Sequence, residues 1–120
     1  MQSTPSSPAT ERIDDGVFVC AQLTPADMPA LAAAGFRGVI NNRPDHEGGP
    51  AQPTSRELEA AATAAGLAYR YLPVQPAGHS AEDGRRMAEL AVQLPKPVVA
   101  FCRSGRRSQA LYNLGRQQGA

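Results

Sequence analysis

The chain has no apolar run approaching membrane-spanning length, and its N-terminus carries neither the basic nor the apolar region of a signal peptide. A membrane-spanning or secreted protein is therefore not expected. Charge imbalance is also lacking: Lys and Arg total 12 against 11 Asp and Glu, a formal net charge of +1. That argues against nucleic-acid or anionic-membrane partners, whose binding surface is normally broadly basic. Cysteine is scarce. Cys20 and Cys102 each lie in their own apolar strand-like run, which does not make a disulfide framework. A reducing, cytoplasmic setting is the expectation, and it keeps a thiol usable. A length of 120 residues suits one core and leaves little for a second.

What is present concentrates between Pro97 and Leu114. Val98, Val99, Ala100 and Phe101 form an apolar run too short for a helix and right for a buried strand. The run stops at Cys102, a loop of Arg103, Ser104, Gly105, Arg106 and Arg107 follows, and Ser108 opens a helical pattern with Leu111 and Leu114 on one face. Strand, cysteine, glycine-containing loop and helix start make an anion cradle: peptide N–H groups converge and the helix N-terminus adds partial positive charge. A cysteine in that field, beside three arginines, should be largely thiolate, the nucleophilic form. Arginines crowded at a helix N-terminus are unfavourable by themselves and make sense around an oxyanion, whose geometry guanidinium forks match.

Read in order, residues 1–10 are Ser, Thr, Pro and Gln with almost nothing apolar, the composition of a disordered tail, and residues 11–120 form the domain. Asp14-Asp15-Gly16 is a turn signal before a first strand at Val17–Cys20. Thr24 is expected to cap a helix that Gly35 stops. Phe36–Ile40 is a second strand, followed by a polar loop to Pro53. Thr54 with Glu57 is a capping box opening a helix that Gly66 ends, and residues 67–74 read as a third strand. Ser80 with Asp83 is a second capping box, opening a helix with Met87, Leu90, Ala91 and Leu94 as its apolar stripe. Alternating strands and helices predict an α/β fold of three layers, a mainly parallel sheet with helices on both faces. Ligands in such sheets bind beyond the carboxyl ends of the strands, where Cys102 and the loops 41–53 and 75–80 all fall.

The segments INNRPD (residues 40–45) and FCRSG (101–105), with QLTP (22–25) and LPV (72–74), resemble the bacterial phosphatase-like domain that also occurs fused to β-lactamase-like persulfide dioxygenases. The resemblance spans about residues 11 to 118. It implies a tyrosine/dual-specificity-phosphatase-like fold and an enzyme described variously as a phosphatase or a sulfurtransferase, with a persulfide dioxygenase as a possible partner. Against the phosphatases three departures stand out. Cys102 to Arg107 is Cys-x4-Arg, one residue shorter than their Cys-x5-Arg loop and closer to the six-residue loop of rhodanese sulfurtransferases. Phe101 also replaces the His that commonly precedes their cysteine, and the loop 75–79, where their acidic Asp would sit, has none.

Cys102 and Arg107 are the expected catalytic pair, with Arg103, Ser104, Gly105, Arg106 and Ser108 completing the anion-binding loop. Asp45, His79 and Asp83 are the candidates for a general acid. Asp83 already has a structural reason in its capping box, and His79 suits proton donation at neutral pH. Arg43 either reaches the anion from the neighbouring strand end or pairs with Asp45 or Glu47. Cys20 is a core residue or a resolving thiol. Asp45, His46 and Glu47 superficially suggest a metal cluster, but consecutive residues do not all face one ion and no second His or Cys group supports it; neither metal nor cofactor is expected. The expected substrate is a small anion bearing sulfur or phosphate. In sulfur transfer the thiolate takes a sulfane sulfur from thiosulfate or glutathione persulfide and passes it to a thiol acceptor. In phosphoryl transfer it attacks a phosphate ester and water hydrolyses the phosphocysteine. A non-catalytic anion-binding or redox-sensing module is the third reading. The shortened loop and the absent acid favour sulfur transfer, because a persulfide's outer sulfur is small and sulfite leaves without a proton.

Overall fold

Val98 to Phe101 are at most 1% exposed, the signature of a strand covered on both faces, and they form the middle of the sheet. The computed structural model describes residues 8–119. In chain order the elements are β1 (Thr10–Asp14), β2 (Val17–Cys20), α1 (Asp27–Ala33), β3 (Gly38–Asn41), α2 (Ser55–Ala64), β4 (Ala68–Tyr71), α3 (Ala81–Gln93), β5 (Val98–Phe101) and α4 (Arg106–Gly119). The sheet order is β1-β2-β5-β3-β4. β2, β5, β3 and β4 are mutually parallel, and β1 runs antiparallel along the edge of β2.

Two-residue alternation divides the core. Val17, Val19, Ile40, Val98 and Ala100 face one side, where they pack with Met87 and Ala91 of α3 and Leu111 of α4. Val39, Val99 and Phe101 face the other, against Met28 and Leu31 of α1 and Leu58 and Ala62 of α2. The result is the three-layer arrangement that strand–helix alternation calls for. On the first face α3 and α4 approach closely enough that a Cβ on Gly115 would overlap the Gly84 carbonyl. That contact packs the first turn of α3 against the C-terminal half of α4.

Both capping boxes form as the sequence predicts. Thr54 Oγ1 accepts from the Glu57 N–H and Ser80 Oγ from the Asp83 N–H, while each carboxylate accepts from its cap residue's N–H. Gly35 and Gly66 follow α1 and α2 with φ of 102° and 84°, a conformation that glycine adopts without strain.

Three expectations are corrected. α1 begins at Asp27, so Thr24 is not its cap; the Asp27 carboxylate instead accepts from the Thr24 N–H at 2.7 Å, holding a turn ahead of the helix. α4 begins at Arg106, not Ser108, and Arg107 and Ser108 lie in its first turn. The stretch before the Asp14-Asp15-Gly16 turn is a strand, paired from Thr10 opposite Cys20. Thr10 thus belongs to the domain; residues 1–7 of the expected tail lie outside the described residues. No helix among the described residues is long and apolar enough to cross a membrane.

Candidate active site

At the carboxyl end of β5 the chain must turn at once, because α4 packs back against the sheet. Gly105 makes that turn with φ of 95°, and a Cβ there would sit 3.2 Å from the Cys20 carbonyl oxygen. Only glycine fits both the angle and the space. The turn aims the Gly105 N–H at Cys102 Sγ, 3.0 Å away. The Gly105 carbonyl meanwhile accepts from the Gln109 N–H at 3.0 Å, opening the hydrogen-bond ladder of α4.

Cys102 is 1% exposed. Burial alone pushes its thiol up, but the N–H groups of Ser108, Ser104 and Gly105 outweigh burial and leave it below the usual value of 9.0. The largest stabilising contributions come from peptide dipoles of the loop and the first turn of α4, ahead of the guanidinium charges that the sequence brings to mind. Ser108 is fully buried, and its hydroxyl donates to Asn42 Oδ1 at 2.7 Å. Asn42 is itself oriented by donating to the Leu72 carbonyl at 3.1 Å.

Arg107 is buried at 8% exposure and held by groups distant from it in the chain. Its two terminal nitrogens each reach the Glu47 carboxylate at 3.0 Å, and Nη1 also donates to the Val74 carbonyl at 3.0 Å. Nε is buried with no partner among the described residues. The same carboxylate takes Arg43 Nε at 2.8 Å, while Arg43 Nη1 donates to Gln22 Oε1 at 3.0 Å. Of the two roles left open for Arg43, the structure therefore gives the pairing with Glu47. The hydrogen bond from Arg107, and then that from Arg43, holds the Glu47 carboxyl below its usual value despite the opposing effect of burial.

Of the three candidate acids, His79 alone stands at the cysteine. Cys102, His79, Pro76 and the arginines Arg103, Arg106 and Arg107 line a cavity of about 380 Å³, and no Asp or Glu lines it. His79 Nε2 is buried without a partner. Asp45 is elsewhere: Oδ1 accepts from the Ser55 N–H at 2.7 Å at the start of α2, and its own N–H donates to the Tyr71 hydroxyl at 2.8 Å. Asp83 is engaged with Ser80. Ser104 and Arg103 are on the exposed rim, as is Arg106. Cys20 is buried among core residues, and burial pushes its thiol up to about 12.

Gln22 and Asn42 are site residues that sequence reasoning missed, and Glu47 was foreseen only as a partner for Arg43. An i, i+4 spacing hints at the Arg43–Glu47 pair. Nothing in the sequence hints at the Arg107–Glu47 pair, whose members are 60 positions apart.

Comparison with known proteins agrees with this geometry. A curated beta-lactamase hydrolase-like protein of Agrobacterium fabrum is 38% identical over 104 residues, covering 87% of this chain and 24% of the relative. One of Xylella fastidiosa is 32% identical over 102 residues, 85% of this chain and 23% of the relative. The chain thus spans about a quarter of the length of these relatives. A solved Neisseria meningitidis structure, named as a candidate phosphatase, superposes with a TM-score of 0.82 at 29% identity, covering 92% of this chain and 78% of that one. PTPMT1 superposes with a TM-score of 0.62 at 21% identity, over 86% of this chain and 68% of that one, a likeness of fold. The fold is that of the tyrosine and dual-specificity phosphatases, and residues 11–119 match the family model described as "Beta-lactamase hydrolase-like protein, phosphatase-like domain", the family to which this chain belongs.

Proposed function

We propose that the chain is a cysteine-dependent phosphatase in which the Cys102 thiolate attacks the phosphorus of an anionic phosphate ester. A sulfur–phosphorus bond forms as the ester P–O bond breaks, and the leaving oxygen takes a proton from His79 Nε2. Water then attacks the phosphocysteine, phosphate departs and the thiolate returns. The observation that carries this reading is the convergence of peptide N–H groups on a buried sulfur, at the base of a cavity lined by three arginines and no carboxylate. Those groups, with the partnerless Arg107 Nε, suit the charge of a phosphoryl group in transfer. The phosphatase-like family and fold support it as well.

Sulfur transfer is the second reading, favoured by one specific observation. Both candidate aspartates, Asp45 and Asp83, are spent on helix N-termini, so neither is placed to protonate a leaving group. A persulfide on Cys102, formed with loss of sulfite from thiosulfate, needs no such acid. A thiol would then accept the sulfur, with a persulfide dioxygenase as the partner that consumes the product.

Mass spectrometry of Cys102 separates the two. After an aryl phosphate, rapid quenching should trap a phosphoryl adduct; after thiosulfate, a persulfide would add one sulfur atom and disappear on adding thiol. His79→Gln sharpens the result. Hydrolysis of an alkyl phosphate should fall on the order of 10²–10⁴-fold, with an activated aryl phosphate nearly unaffected. Thiol-dependent sulfur transfer without hydrolysis of any phosphate ester would overturn the phosphatase reading.

A further inference from the structure

Three arginines line one cavity, but they are not equivalent. Arg107 is buried and its guanidinium is anchored to Glu47, leaving Nε free beside the loop. Arg103 and Arg106 are exposed, and among the described residues neither side chain makes a hydrogen bond or ion pair. The N-terminus of α4 disfavours positive charge, yet Arg106 and Arg107 are its first two residues and Arg103 stands just before them. Cys102 lies buried at 1% exposure, so a group bonded to its sulfur is enclosed by the loop amides rather than by the outer guanidiniums. No carboxylate lines the cavity to balance them.

We infer that Arg103 and Arg106 recognise a second anionic group on the substrate, outside the group that reacts at Cys102. The substrate class is a polyanion: a reacting tetrahedral group with a further phosphate or carboxylate close to it. Arg107 and the amides serve the reacting group, and the rim arginines grip what extends towards solvent. The inference rests on Cys102 as the reacting centre, common to both readings of the chemistry, and deepens them by naming what else the substrate carries.

Protection of Cys102 from iodoacetamide measures this without turnover. Phosphate, pyrophosphate and tripolyphosphate are compared at constant ionic strength with chelator present, so that general screening is equal. Tripolyphosphate should protect at a concentration at least about tenfold lower than phosphate, the gain expected from charge-assisted hydrogen bonds to two guanidiniums. In the Arg103→Gln/Arg106→Gln double variant that advantage, taken relative to protection by phosphate in the same variant, should shrink to about twofold or less. Equal protection by all three anions in the wild type, or an advantage that survives the double substitution, overturns the inference and leaves the phosphatase reading standing. Failure of every anion to protect overturns the anion cradle, and both proposals with it.

Discussion

Cys20 and Cys102 end neighbouring parallel strands of one sheet, and Cys20 stands in register with Phe101, the residue just before Cys102. Both are buried, at 5% and 1% exposure. Burial drives the Cys20 thiol up to about 12, helped by the charges of Asp27 and Cys102, whereas the Cys102 thiol lies below the usual value of 9.0. What separates them is the path the backbone takes next. After Cys20 the chain runs on into the turn leading to α1, and its backbone lies against the loop at Gly105 with the carbonyl oxygen nearest. After Cys102 the chain folds back within three residues and presents N–H groups to the sulfur. Cys20 also borders an adjoining hollow of about 660 Å³, which shares Ser104 and Arg106 with the Cys102 cavity and whose lining includes Glu11, a carboxylate not among the residues lining that cavity. The thiolate character of the proposed nucleophile is therefore attributed to peptide geometry, with side-chain charge as a second layer.

The largest test of that contrast removes each sulfur in turn. Cys102→Ser should lower turnover by on the order of 10³-fold or more, because a serine hydroxyl is not ionised by the same amides. Cys20→Ser should leave kcat within about threefold, since a core thiol contributes only packing. Loss of activity in a well-folded Cys20→Ser protein would make Cys20 part of the chemistry. The pH dependence of alkylation follows the same logic. Cys102 should react with a midpoint below 9.0, and Cys20 should stay inert until the pH nears 12 or the protein unfolds.

The next largest effect comes from moving the cradle without touching either sulfur. Gly105→Ala places a Cβ 3.2 Å from the Cys20 carbonyl oxygen on a backbone with φ of 95°. The strain is about 1–3 kcal/mol, and relieving it swings the N–H away from Cys102. Activity should fall about 10²-fold, as a misplacement near 1 Å produces, with the alkylation midpoint of Cys102 rising towards 9.0. An unchanged midpoint would mean that the loop amides do not set the thiolate.

Glu47→Gln isolates the second layer. It breaks the bidentate hold on Arg107 and the link to Arg43, so kcat/KM should fall about 10–100-fold. The alkylation midpoint of Cys102 should stay where it is, because no amide moves. The pair also has a pH signature. The Glu47 carboxyl lies below its usual 4.5, so the stability it contributes is present above that value and is lost as the pH falls through its folded-state pKa. The wild type should therefore lose its thermal advantage over Glu47→Gln on acidification through that range.

Most of the frame was legible because it is written locally. The Thr54–Glu57 and Ser80–Asp83 boxes, the glycines at 35 and 66, and the apolar Val98–Phe101 run are short-range signals with one physical reading each. β1 was not legible. TERID is half-exposed along its length, and its pairing rests on backbone hydrogen bonds to β2 that no apolar alternation announces. The start of α4 was misjudged because arginines are poor N-terminal residues on electrostatic grounds, and the amide cradle overrides that preference. In the site, Cys102 and its loop were evident from one segment. The partners that decide what the other residues do were not: Glu47 meets Arg107 across 60 positions, and Asp45 is diverted to the Ser55 N–H by the course of the loop before α2. Such pairings depend on which loop ends the sheet brings together, and single-sequence spacing does not encode that.

The smallest expected effect bears most directly on amides against arginines. If peptide dipoles set the thiolate, neutralising the rim guanidiniums should hardly move it. Arg103 and Arg106 are exposed, so each interacts with the sulfur through a medium close to water and is screened by salt, whereas the Gly105 N–H acts at 3.0 Å inside the fold. The Arg103→Gln/Arg106→Gln variant should therefore shift the pH midpoint of Cys102 alkylation by less than about half a unit at 0.15 M salt, equivalent to under ~0.7 kcal/mol. The same variant should show a weaker ionic-strength dependence of the alkylation rate by a charged reagent, since the rim supplies most of the local positive field. Measuring the midpoint with a neutral reagent and the rate with an anionic one separates the two contributions. A rise of a full unit with the neutral reagent would put the guanidiniums alongside the amides in making the nucleophile.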